Sequence, residues 1–91
     1  MPDNVTIPKG TKIRRYYPRK RRVTVNVTVT LENITAELAE KNAGGVYQPV
    51  QSGSASAPGS ITLDQSRAAQ KFWRVTLSGP GRCNYSVATE R

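Results

Sequence analysis

A chain of 91 residues holds one domain at most and buries only about two-thirds of its unfolded surface, so its core is modest. With 36% hydrophobic residues, one cysteine and no histidine, it excludes an intrachain disulfide, a multi-cysteine metal site and histidine-based proton transfer. The formal charge of +8 is uneven: residues 1–22 carry eight Lys or Arg against Asp3, a net +7, while residues 23–91 carry six against five acids, a net +1. That division predicts a basic N-terminal arm over residues 1–22, extended or partly disordered, and a single small β-rich domain over 23–91.

Within the arm, Pro2, Pro8 and Gly10 interrupt any regular element, and Val5 to Ile7 reads as a short edge segment. Lys12 to Arg22 follows as Lys-Ile-Arg-Arg-Tyr-Tyr-Pro-Arg-Lys-Arg-Arg, and Pro18 forbids a helix through it. From Val23 the apolar residues take every second position: Val23, Val25, Val27, Val29 and Leu31, with Thr24, Asn26, Thr28 and Thr30 between them. This is a strand with one apolar and one polar face. Continued backwards, its parity would put Arg19 and Arg21 on the core side, so the basic segment is expected to leave the body or lie on an open face.

After Glu32 the period changes. Ile34, Ala36, Leu38, Ala39 and Ala43 fit a short helix that Asn33 or Thr35 caps and Gly44-Gly45 ends. Val46 to Val50 reads as an edge strand because of Pro49. Gln51 to Ser60, rich in Ser, Gly and Ala, reads as a flexible loop. Residues 64–71 fit either a second helix capped by Asp64 or a loop. Trp73 to Ser78 and Arg82 to Ala88 alternate around Gly79-Pro80-Gly81 and predict a C-terminal hairpin.

The predicted fold class is α+β: a small antiparallel β-sheet with one or two short helices and the extended basic arm. An all-β sandwich or small barrel is the alternative. The expected core is Val23, Val25, Val27, Val29, Leu31, Ile34, Leu38, Trp73, Val75, Leu77, Cys83, Tyr85 and Val87. A full eight-stranded jelly roll needs more chain than this reading leaves for the body, about 60–65 residues, and a body that small points to a homo-oligomer or a docked partner.

No catalytic constellation is legible, so an enzyme is not expected, nor is a cofactor or a metal. Cys83 reads as a buried structural thiol, and the glycines read as turns instead of a phosphate loop. Four N-x-S/T sequons begin at Asn4, Asn26, Asn33 and Asn84 and read as by-products of strand composition. No apolar run approaches the ~20 residues of a membrane span, and the start lacks the apolar core of a signal peptide. The expected location is the cytoplasm or a viral or phage particle, without membrane contact.

The candidate site is the basic segment: Lys12, Arg14, Arg15, Tyr16, Tyr17, Arg19, Lys20, Arg21 and Arg22. Arginine forks bind phosphate, and tyrosine faces stack on unpaired bases, which favours RNA or single-stranded DNA over duplex. Five phosphate contacts would give a log–log salt slope of about −3.5 to −4.5. Phe72 and Trp73, being adjacent on a strand, point to opposite faces; one belongs to the core, and a stacking platform with Arg74 beside Phe72 is the weaker alternative.

In layout alone, a basic arm on a neutral Val/Thr-rich body resembles small structural or genome-binding proteins of viruses and phages. The leading expectation is thus a non-enzymatic nucleic-acid-binding protein. The second is a capsid or tail component whose arm docks on neighbouring subunits or another acidic protein surface. The third is a small inhibitor that blocks a nucleic-acid site.

Overall fold

The computed structural model describes residues 3–91. It contains five strands, β1 (Asp3–Ile7), β2 (Lys12–Lys41), β3 (Tyr47–Ser56), β4 (Gly59–Ser78) and β5 (Gly81–Glu90), all paired antiparallel. The two long strands bend, and each serves two layers.

In the first layer, β1 pairs with β5, β5 with residues 22–32 of β2, and residues 22–29 of β2 with residues 59–66 of β4. In the second, residues 12–17 of β2 pair with residues 73–78 of β4, which pair on their other side with residues 35–40 of β2. β3 completes that layer against residues 33–41. Counted by layer, eight strand segments form two four-stranded sheets with Greek-key connections, the jelly-roll plan.

This corrects the α+β expectation. Residues 33–43 contain no helix and lie in β2 up to Lys41, and residues 64–71 lie in β4, so the all-β sandwich is the reading that fits. The error has a physical origin. Glu32 adopts a left-handed φ of 55°, and the register against β4 breaks between Val29 and Thr35. Across that corner the buried parity changes from odd (Val23 to Val29) to even (Ile34, Ala36, Leu38). A parity change inside one bent strand imitates the onset of a 3.6-residue period. The jelly roll also fits into 91 residues, because the basic segment and the Ser/Gly stretch are both spent on strands.

The expected separation into arm and body is replaced in the same way. Residues 12–17 are an edge strand of the second sheet, and residues 51–60 fall in β3 and β4 apart from a turn at Ala57-Pro58. The segments around Gly79-Pro80 form no hairpin: β4 ends in the second sheet, and β5 pairs with β1 and β2 in the first. Gly81 is required there, since a Cβ would stand 2.5 Å from the Asn33 carbonyl oxygen and 2.6 Å from that of Leu31.

The core lies between the sheets. Val23, Val25, Val27, Val29, Ile61, Leu63, Cys83 and Tyr85 from one face Ile34, Ala36, Leu38, Trp73, Val75 and Leu77 from the other, with Ile7 closing one end. Two expected core residues sit elsewhere. Leu31 is 49% exposed because the chain turns at the next residue, and Val87 is only partly buried near the end of β5. Cys83 is fully buried, and burial pushes its thiol pKa up, which keeps it protonated and inert.

Candidate nucleic-acid interface

Strand alternation divides the basic segment. Residues 73, 75 and 77 of β4 point into the core, so their neighbours Phe72, Arg74, Thr76 and Ser78 face outward. The register sets Lys12 beside Ser78, Arg14 beside Thr76 and Tyr16 beside Arg74. Lys12, Arg14 and Tyr16 therefore stand on the outer face of the second sheet, along its edge strand. Tyr16 is 57% exposed.

The alternate residues have structural work. Ile13 and Tyr17 pack against the core. Arg15 Nε donates to Tyr85 Oη at 3.1 Å, joining the edge strand of the second sheet to β5 of the first.

Arg19 to Arg21 form the corner between the sheets. Arg19 takes a left-handed φ of 55°, and the β2–β4 register shifts on both sides of Lys20. Trp73 Nε1 donates to the Lys20 carbonyl at 2.8 Å, which pins the corner to the core. Arg19 and Arg21 are exposed and Lys20 half-buried. Lys12, Arg14, Arg19, Lys20 and Arg21 make no ion pair with any described residue. Lys71 stands across from Lys20 and adds a cation there.

Arg22 is different. It donates to Asp64 in a forked pair at 2.8 and 3.0 Å, and its guanidinium also lies 3.7 Å from Glu90. The Arg22 hydrogen bond, with a second from Thr24 Oγ1, holds the Asp64 carboxyl below its ordinary pKa, and Arg22 is raised in turn. Its fork is already occupied, so Arg22 belongs to the fold more than to a phosphate site.

Several residues outside the basic segment complete the outer face of the second sheet. Tyr16 meets Tyr47 edge-on, ring centroids 5.5 Å apart at 67°. The Arg74 guanidinium lies 5.2 Å over the Tyr47 ring and 3.4 Å from Glu37. Lys41 Nζ stands 5.3 Å from the Phe72 centroid and 5.9 Å from that of Tyr47. Phe72 is 42% exposed, whereas Trp73 is fully buried, so it is Trp73 that joins the core. Alternation around Trp73 and Val75 put Phe72 and Arg74 within reach of sequence reasoning. Lys41 and Tyr47 needed the β2–β3 register, which the expected helix concealed.

The face thus carries Lys12, Arg14, Lys41 and Arg74 against one carboxylate, Glu37. Two buried polar atoms at its centre, Arg74 Nε and Thr76 Oγ1, have no hydrogen-bond partner. Among the described residues no group of His, Cys, Asp or Glu is placed to hold a metal ion. Among the described residues no helix is long and apolar enough to cross a membrane.

No family model and no curated protein matches the chain. Solved structures share the fold. PirA superposes with a TM-score of 0.70 at 16% identity, over 98% of this chain and 93% of PirA. The Yersinia pseudotuberculosis-derived mitogen gives 0.65 at 13% identity, over 100% of this chain and 85% of the mitogen. A protein described as CBM4 gives 0.53 at 10% identity, over 93% of this chain and 64% of that protein. At these identities the likeness is one of fold alone: the chain is a compact β-sandwich similar to these three.

Proposed function

We propose that this chain is a non-enzymatic binding module for single-stranded nucleic acid, which it holds along the edge and outer face of its second sheet. One observation carries this reading. Five cations, Lys12, Arg14, Arg19, Lys20 and Arg21, run along an edge strand and its corner without an ion pair to any described residue, beside the exposed Tyr16. Side chains two apart on a strand are separated by roughly 6.7 Å, so Lys12 and Arg14 present a linear row suited to a linear polyanion. Phosphates release counterions from such a row, and an unpaired base can lie on the Tyr16 ring.

Removal of residues 1–22 is unsuitable as a test, because it would delete β1 and an edge strand of the second sheet. Charge substitution in the full chain replaces it. Anisotropy of a labelled 12-nucleotide single strand is expected to give a log–log salt slope near −3.5, or about a hundredfold weaker binding at 200 than at 50 mM salt. The variant K12Q/R14Q/R19Q/K20Q/R21Q should lose most of that slope while remaining folded by circular dichroism. Salt-independent binding, or a variant that binds like the parent, would refute the reading.

A second reading, an assembly component, has one observation in its favour. β3 is a ten-residue edge strand without a charged side chain, and such edges invite pairing with another chain, although Pro49 withholds one donor. Light scattering over a concentration series tests it: a monomer throughout removes this alternative as a self-assembly.

A further inference from the structure

We infer that the outer face of the second sheet is a base-stacking platform formed by Tyr16 and Phe72, with Lys41, Tyr47 and Arg74 as its frame. The inference rests on the nucleic-acid reading above and extends it from phosphates to bases. Phe72, Lys41, Tyr47 and Arg74 lie outside the basic segment, on three different strand segments.

Three features support it. First, Tyr16 and Phe72 keep 57% and 42% of their surface open on the same sheet face, so both rings are reachable from solvent. Second, the cations are held among the rings. Arg74 lies 5.2 Å over Tyr47, and Lys41 lies within 6 Å of both Tyr47 and Phe72. Cation–π contact keeps these long side chains on the face instead of in solvent, where they can meet phosphates flanking a stacked base. Third, Arg74 Nε and the hydroxyl of Thr76, which is only 8% exposed, lack partners at the centre of the same face. Buried polar atoms left unpaired are rare and need a reason; a ligand oxygen that displaces a neighbouring long side chain would supply one. A face with four cations, one carboxylate and open rings matches an anionic strand with π-faces better than it matches an apolar or cationic partner.

The experiment compares a mixed-sequence 12-nucleotide single strand with an abasic strand of equal length and charge, using the full chain. The platform predicts about tenfold tighter binding of the intact strand. Phe72→Leu, which keeps apolar bulk but removes the ring, should lower that ratio by about fivefold and leave abasic affinity within twofold. Phe72→Trp should preserve the ratio, and Tyr16→Leu should act as Phe72→Leu does. Equal binding of both strands by the parent overturns the platform. So does an equal loss on both strands in Phe72→Leu, or an unchanged ratio in it. Salt-dependent binding without base discrimination removes the platform and leaves the phosphate reading standing; no salt-dependent binding of either strand removes both.

Discussion

The two outer faces of this sandwich share the strands β2 and β4 and differ in what their side chains do. On the first sheet, Thr24, Asn26 and Thr28 of β2 lie beside Ser60, Thr62 and Asp64 of β4 and beside Asn84, Ser86 and Ala88 of β5. Most of these side chains are short, and two pairs bond one another: Thr62 Oγ1 donates to Asn26 Oδ1 at 3.3 Å and Thr24 Oγ1 to Asp64 Oδ1 at 3.0 Å. Of the cations there, Arg22 pairs with Asp64 and Glu90, and Arg82 Nε donates to the neutral Thr6 Oγ1 at 3.1 Å. On the second sheet the outward residues include the long side chains of Lys12, Arg14, Tyr16, Phe72 and Arg74 beside Thr76 and Ser78, and Lys12 and Arg14 make no ion pair among the described residues. One strand, β2, supplies both characters, so side-chain character here is sorted by the bend in a strand. Three sequon asparagines, Asn4, Asn26 and Asn84, fall on the first face.

The largest expected effect removes the support common to both faces. Trp73→Ala deletes the biggest buried side chain and the hydrogen bond that pins the Lys20 corner. It should cost about 3–5 kcal/mol in a denaturant titration, enough to unfold a domain of this size or nearly so. Next comes the parity change at Glu32. Ile34→Ala should cost about 2–5 kcal/mol and Leu31→Ala under about 0.5, although the two residues are three apart in one strand. Similar losses at both would contradict the corner.

The smallest effect concerns the first face and acid. The carboxyl of Asp64 has a lower pKa folded than unfolded, chiefly through the Arg22 hydrogen bond. Its contribution to stability is present above the unfolded value of about 3.9 and is lost as pH falls through the lower folded value. Asp64→Asn should therefore destabilise slightly at neutral pH, and the gap from the parent should close as the solution is acidified below that window. The pair is exposed, so its worth is small. A gap that widens on acidification would contradict the assignment.

Much of this was legible in the chain. Val23 to Val29 announced their strand, and Trp73, Val75, Leu77, Cys83 and Tyr85 announced their inward positions by alternation. The hidden parts share one cause, which is that periodicity reports a face only while the backbone stays regular. Left-handed residues at Arg19 and Glu32 reset that face without glycine or proline at those positions to mark the break. The first reset hid how Arg19 and Arg21 escape the core side without leaving the body. The second turned a strand into an apparent helix and concealed the β2–β3 register that brings Lys41 and Tyr47 beside Phe72. The basic segment was found by composition, yet its division into outward Lys12, Arg14 and Tyr16 and employed Arg15, Tyr17 and Arg22 needed three-dimensional partners.

The central claim is that one face binds and the other does not, and backbone amide chemical-shift mapping on the full chain tests it most directly. Titration with an unlabelled 12-nucleotide single strand at low salt should move the amides of residues 12–17 and 19–21, Lys41, Tyr47 and residues 71–76, and leave Asn26, Thr62 and Ser86 still. Shifts concentrated on Asn26, Thr62 and Ser86, or no shifts at all, would contradict the account.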